Sequence, residues 1–316
     1  MGESTNIEWA DKTFNPWEGC SKVGPGCDHC YAETRNIRFH GGNWGPGAPR
    51  RRTSPANWAK PRRWNADAAE KGVRYRVFCA SLADVFDNEV PAEWRADLFQ
   101  LIRETPHLDW LLLTKRIGNV TGMLPDDAFL PFTFPNVWLG ATIVNQEEAD
   151  RDIPKLLSVP AAVHWLSMEP LLGPVTLQGL APGETMEHEQ VREYLSPVED
   201  KHGFAPKHAT VDWVIVGGES GTGARPMHPD WARSLRDQCE SAAVPFLFKQ
   251  WGEWAEGESP LWPETVDYRL EYGTGHYFDD EDGPWMDRVG KKKAGRKIDG
   301  RTWDQFPGHR GGSQEA

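Results

Sequence analysis

Six short apolar runs recur along the chain, and each ends in polar or charged residues: Val77–Asp84, Asp109–Arg116, Val137–Thr142, Val163–Glu169, Val211–Glu219 and Val244–Gln250. Runs of this length with little alternation read as strands buried on both faces, the pattern of a parallel sheet. The segments between several of them carry helical spacing. Trp94, Leu98, Leu101 and Ile102 give Pro91–Glu104 one apolar stripe, Asn145–Leu157 has another, and Trp231, Leu235 and Cys239 mark a third over Asp230–Ser241. Strand–helix alternation repeated this often predicts an α/β domain. A further short strand before Cys20 suits a complete or partial barrel. The rival is a doubly wound dinucleotide-binding sheet, which wants its Gly-rich turn after the first strand. Here the Gly-rich segment Gly217–Gly223 follows a late run, so the barrel is the expectation.

Barrels of this kind gather functional groups at the C-terminal ends of their strands. Those ends carry Ser81 and Asp84, then Thr114, Lys115 and Arg116, then Thr142 and Asn145. Glu169, Gly217, Gly218 and Glu219 follow, and finally Lys249 and Gln250. Any one of these can be an ordinary solvated strand end. Together they predict a polar pocket, with the acids suited to amino or hydroxyl groups and Lys115, Arg116 and Lys249 to carboxylate or phosphate. Gly217 and Gly218 let a ligand approach the backbone.

Cys20, Cys27 and Cys30 crowd into eleven positions just after the first expected strand, and only Cys79 and Cys239 accompany them. Five cysteines with this spacing are poor material for a disulfide framework and good material for a metal site in a reducing cytoplasm. Two metal readings stand. Three thiolates can hold three irons of a 4Fe–4S cluster and leave the fourth open. Alternatively, the loop binds zinc with His29 or a distant Cys as the fourth ligand, in a zinc-stabilised nucleic-acid-binding protein without catalysis. Three unrelated free thiols remain a further alternative. Cys79 inside an apolar run and Cys239 on a helix read as buried small hydrophobes.

With 35 Lys and Arg against 47 Asp and Glu, the net charge of −12 argues against a general nucleic-acid binder, though a local patch can hide in the average. Residues 34–66 contain no acidic residue and interleave Arg50, Arg51, Arg52, Arg62 and Arg63 with Trp58 and other aromatics. Such a stretch suits phosphates and unstacked bases of DNA, RNA or a nucleotide. The competing reading is a loop whose arginines pair with the acidic remainder and whose tryptophans pack on the barrel. Residues 1–19 lack the apolar core of a signal sequence, and no apolar run reaches the ~20 residues of a membrane helix, so no membrane role is expected. Residues 1–252 are expected to form the barrel with an inserted polar loop at about 181–210. Residues 253–316 are expected to form an extension packed on it, ending in a disordered tail.

Taken in order, Cys20–Tyr31, Ser81–Phe86, Leu112–Arg116, Val137–Gly140, Ser167–Gly173, Val214–Gly221, Phe248–Gly252 and Asp299–Trp303 resemble a family of bacteriophage-associated three-cysteine proteins. That family is related to radical S-adenosylmethionine enzymes, with spore photoproduct lyase a distant relative. The resemblance implies a partial (β/α)6 barrel, a 4Fe–4S cluster on Cys20, Cys27 and Cys30, S-adenosylmethionine, and an electron donor such as flavodoxin or ferredoxin. Common members of that superfamily place three residues between their first two cysteines and often an aromatic before the third. Here six residues intervene and His29 stands before Cys30.

Overall fold

The computed structural model of the chain describes residues 5, 7–39, 41–125, 127, 134–179, 192–195, 209–257, 275–277 and 284–308. Its frame is one sheet of seven parallel strands: β1 (Lys12–Thr13), β2 (Tyr75–Cys79), β3 (Leu108–Thr114), β4 (Val137–Thr142), β5 (Val163–Met168), β6 (Trp213–Gly217) and β7 (Phe246–Gln250). The order in space is the order in sequence, with every neighbouring pair parallel. A doubly wound sheet reverses its strand order at a switch point; this sheet never reverses, which is barrel winding. β1 and β7 do not pair with each other, so the barrel is partial.

Helices α1 (Tyr31–Phe39), α2 (Lys60–Lys71), α3 (Ala92–Arg103), α4 (Ile117–Met123), α5 (Gln146–Leu157) and α6 (Pro229–Ser241) lie between the strands. The three helices anticipated from periodicity appear within two residues of their expected ends. Asn145 caps α5 by accepting from Glu148 N at 2.9 Å, and Glu148 Oε2 accepts in return from Val144 N at 3.0 Å. This reciprocal arrangement resembles a capping box.

The strands alternate between two cores. Val77, Trp110, Leu112, Leu139, Leu166, Val214, Phe246 and Phe248 belong to the larger cluster, which the helices cover. Phe78, Leu111, Trp138, Trp165, Trp213, Ile215 and Leu247 join Trp9 in a second cluster inside the curl. Trp138, Trp165 and Trp213 come from the first half of their strands and plug that end of the lumen. Gly140 makes room for them, because a Cβ there would overlap the Trp165 indole. The plug leaves the opposite end of the curl, where the strands finish, to polar residues.

The outer edge of β7 is covered by the end of the chain. Phe248 N donates to Trp303 O at 2.9 Å, and Gln305 N to Phe246 O at 3.2 Å. The Phe306 ring packs, tilted, 5.3 Å from Trp213. An open parallel edge invites pairing with other chains, and this strap removes it. Most of the 181–210 insertion lies outside the described residues, as does the 309–316 tail. No helix among the described residues is long and apolar enough to cross a membrane. Cys79 and Cys239 are fully buried, as expected for small hydrophobes.

Candidate metal centre

The three cysteines meet at the strand-end mouth of the curl. Cys20, Cys27 and Cys30 line a single cavity of ≈140 Å³ together with Ser81, Asp84, Thr114, Lys115 and Thr142. Six of the strand-end residues singled out in sequence, these five and Arg116, therefore share a cavity with all three thiols. Cys30 immediately precedes α1, so the positive end of a helix dipole faces the cysteine loop.

Two arginine clamps fix that loop. The first is Arg116, whose guanidinium donates to Cys20 Sγ at 3.4 Å, Ser21 O at 2.7 Å and Ser21 Oγ at 2.9 Å. Arg116 is held in turn by Asp84 at 3.2 Å, both side chains being only 7% exposed. Asp84 also accepts from Thr114 Oγ1 at 2.8 Å, Lys115 N at 3.0 Å and Phe86 N at 2.9 Å. Its oxygens and the Thr114 hydroxyl are thus committed to joining the ends of β2 and β3. Arg116, expected to bind an anion, instead grips the cysteine loop. Burial, together with the Asp84 carboxylate and against the pull of Arg116, pushes the Cys20 thiol up to about 11.

The second clamp is Arg225. It donates to Pro25 O at 2.8 Å and Asp28 Oδ2 at 3.0 Å, and to Glu219 Oε1 at 2.7 Å. Glu219 Oε2 also pairs with His29 Nδ1 at 3.0 Å. Burial raises the Glu219 carboxyl, but hydrogen bonds from Arg225 and His29 outweigh it and hold the group below its ordinary value. Gly223 sits at φ +81°, and a Cβ there would lie 2.9 Å from His29 Nε2. Between the clamps, Gly26 rests on the strand-end loop after β4, where a Cβ would come within 2.8 Å of Val144 Cγ1.

Glu169 and Lys249 pair at 3.0 Å across the end of β6. Gly217 lies directly below, since a Cβ there would stand 2.5 Å from Glu169 Oε1. Gly218 has a different reason to lack a side chain, because its Cβ would collide with the carbonyl of Trp251. Neither these four residues nor Glu219 line the cysteine cavity. Lys115 is the cation with its head free beside the thiols: Nζ donates to Thr142 Oγ1 at 3.3 Å, and no carboxylate pairs with it among the described residues. Ser81 is held by Asn15, which donates to Ser81 Oγ at 3.0 Å and accepts from Leu82 N at 2.8 Å. Tyr31, from the Cys20–Tyr31 motif, reaches the same turn and donates its hydroxyl to Ser81 O at 2.6 Å. Asn15 and Arg225 lay outside the residue sets singled out in sequence, because each takes its role from chain segments brought together only by folding.

Much of the basic stretch is engaged in internal pairs, and burial removes Arg50 from the nucleic-acid candidates. Arg50 has a side chain with no exposure, and it donates to Asp87 at 2.7 Å and to three backbone carbonyls. It cannot reach a phosphate. Arg51 pairs with Glu18, Arg52 with Asp97 at 2.7 Å, and Arg62 with Glu104 at 2.9 Å. Trp58 is buried and Arg52 stacks over it at 4.3 Å. Arg63 is exposed and makes no ion pair among the described residues.

The donor set can be tested against the two metal readings. Four sulfurs around one zinc at about 2.3 Å would lie roughly 3.8 Å apart. Among the described residues no three His, Cys, Asp or Glu side chains converge so closely. His29, the nearby candidate for a fourth zinc ligand, is turned to Glu219. Thiolates on a cluster go to separate irons and need no such convergence. Three sulfurs facing one cavity, with cations at its wall to offset anionic sulfur, fit a cluster with an open iron.

A family model described as "Protein of unknown function (DUF5131)" matches residues 4–307. The chain belongs to this family. Membership in DUF5131 does not of itself tie the chain to bacteriophages. Among curated proteins none matches the chain. Among solved structures, the DUF5131 chain is similar to spore photoproduct lyase complexed with dinucleoside spore photoproduct, at 12% identity and a TM-score of 0.43, covering 93% of this chain and 72% of that one. A double mutant of the lyase with bound AdoMet and dinucleoside spore photoproduct is similar at 12% identity and a TM-score of 0.41, covering 88% and 68%.

Proposed function

We propose that this protein is a radical S-adenosylmethionine enzyme. Cys20, Cys27 and Cys30 would hold a 4Fe–4S cluster, and the observation that carries the reading is that all three line one cavity at the strand-end mouth of a parallel half-barrel. Ser81, Lys115 and Thr142 on the same wall are the side chains placed to meet S-adenosylmethionine. Lys115 offers an unpaired cation for its carboxylate, and Thr142 and Ser81 offer hydroxyls. Glu169 and Lys249, paired with each other at 3.0 Å, would be the neighbouring polar groups for substrate or the far end of the cofactor, while Glu219, Gly217 and Gly218 would serve by holding the strand ends around them. A 4Fe–4S cluster and S-adenosylmethionine held there would supply one-electron reductive chemistry suited to hydrogen abstraction. The protein's own part is to orient the cofactor and to keep water from the reacting centre. Electrons would come from a flavodoxin- or ferredoxin-type donor in the cytoplasm. A nucleotide or nucleic acid remains the proposed substrate class, for repair or modification, with Arg63 an exposed member of the basic set that makes no ion pair among the described residues.

Anaerobic reconstitution with iron and sulfide tests the reading. The expected result is thiolate-to-iron charge-transfer absorbance that disappears in Cys20→Ser, Cys27→Ser and Cys30→Ser, with 5′-deoxyadenosine formed on reduction. Zinc at one per chain, with no iron taken up, overturns it in favour of a zinc-stabilised protein.

A further inference from the structure

Five large apolar side chains stand exposed among the described residues: Val23, Tyr31, Ile37, Phe39 and Val73. Scattered singly, such residues need no explanation. Four of the five fall between residues 23 and 39, on the cysteine loop and the helix that leaves it. That concentration is the mark of an interaction surface. Helix α1 buries only Ala32 and Asn36, so most of its circumference faces outward.

The patch is basic as well as apolar. Arg35 and Arg38 both lie against the Phe39 ring, at 5.7 and 5.2 Å, so two guanidiniums gather at this aromatic. Arg38 has no ion-pair partner among the described residues. Arg35 makes only a long contact of 3.7 Å to Glu18, which Arg51 already engages. A basic spot on a chain of net charge −12 attracts an acidic partner where the rest of the surface repels it. The arrangement therefore selects an orientation as well as a partner.

Position supplies the occupant. Cys30 is the residue before α1, and nine helical residues span only about 13 Å. A protein seated on this helix stands beside the thiols. We infer that the face of α1 formed by Tyr31, Arg35, Arg38 and Phe39, which fall within about 100° of one another around the helix, is the docking site of a small acidic one-electron carrier protein. The inference rests on the cluster reading, which requires an external electron. A nucleic acid fits the patch less well, because backbone binding takes a run of cations and Arg50, Arg51, Arg52 and Arg62 are spent on internal carboxylates. Electron-transfer encounters bury little area, which suits a single short helix.

The test compares wild type with Arg38→Glu and Phe39→Ser after reconstitution, following cluster bleaching with two reductants. Reduced flavodoxin is the acidic carrier and dithionite the small-molecule control. Both variants are expected to bleach with dithionite at the wild-type rate. With flavodoxin at low salt they are expected to slow by roughly tenfold or more, and the Arg38→Glu deficit should shrink as salt rises. Equal flavodoxin rates in wild type and both variants overturn the inference. So does an unchanged flavodoxin rate accompanied by lost affinity for a single-stranded oligonucleotide, which assigns the patch to nucleic acid. A wild-type protein that takes up no cluster, and so shows no bleaching even with dithionite, removes the cluster reading itself along with this one.

Discussion

Replacing Arg116 by Met tests whether the cysteine loop is held from the barrel. The guanidinium makes one contact to Cys20 Sγ, two to Ser21 and one to Asp84, all inside a wall where it is 7% exposed. Removing one member of a buried ion pair costs about 3–5 kcal/mol, because the partner charge is stranded. The lower end applies here. Asp84 keeps three other donors, and Asp87, 3.9 Å from Arg116, keeps Arg50 at 2.7 Å. With unfolding entropy near 2.1 cal/mol/K per residue, a chain of this size loses about 1.5 °C of Tm per kcal/mol, so Arg116→Met should melt about 5 °C lower. Differential scanning calorimetry of the metal-free protein measures this, and iron per chain after anaerobic reconstitution should fall in parallel. Asp84→Asn adds a second arm: a double variant less destabilised than the sum of the singles gives the coupling directly. A variant within 0.5 kcal/mol of wild type that still loads iron fully refutes the clamp.

Gly140→Ala should cost about 1–3 kcal/mol by overpacking the lumen, and a denaturant titration should show part of it recovered when Trp165→Phe is added, since that indole is what the new methyl would strike. Glu219→Gln should weaken the second clamp in a pH-dependent way. The Glu219 carboxyl is depressed in the fold, so its contribution is present above the unfolded value near ~4.3 and is lost as pH falls through the folded one. The Tm gap between wild type and variant should therefore be largest at neutral pH and close in acid; a gap independent of pH contradicts this. Arg50→Ala should lose about 3 kcal/mol or more of stability, as expected for a stranded buried Asp87, and leave affinity for an oligonucleotide unchanged, whereas an exposed phosphate contact would do the reverse.

The fold was legible because its signals are local. Each apolar run reports burial on both faces, and a Gly-rich segment placed after a late strand already spoke against a doubly wound sheet. The lumen plug was not legible. Trp138, Trp165 and Trp213 look like any strand residues until the alternation of seven strands is set in register, and Gly140 acquires meaning only against Trp165. At the site, residue type and position at strand ends found Ser81, Lys115 and Thr142, which face the cavity. The same rule named Asp84 and Thr114 without distinguishing a group that meets a ligand from one that ties two strand ends together. Charge in the basic stretch was only half of the evidence for a related reason. A run without acidic residues says nothing about acids elsewhere in the chain, and Asp87, Glu18, Asp97 and Glu104 were supplied by other segments.

The six residues between Cys20 and Cys27 are the point at which this chain departs from the familiar spacing of radical S-adenosylmethionine enzymes, and the structure gives them work. Ser21 offers a carbonyl and a hydroxyl to Arg116 on one side of the mouth. Pro25 offers a carbonyl to Arg225 on the other. Gly26 lets the loop settle against Val144 in between. A loop with only three intervening residues has no room to engage both arginines and to rest on the strand-end loop after β4 as well. The longer spacing therefore exchanges a compact turn for a span anchored from β3 and from the loop after β6. Anchorage at both ends restricts where each thiol can point before any metal arrives, which lowers the ordering cost of assembling a site from a loop. On this account the length of the insertion matters through its grips. Arg225→Met should therefore lower the iron loaded per chain on anaerobic reconstitution, and full loading in that variant refutes the account.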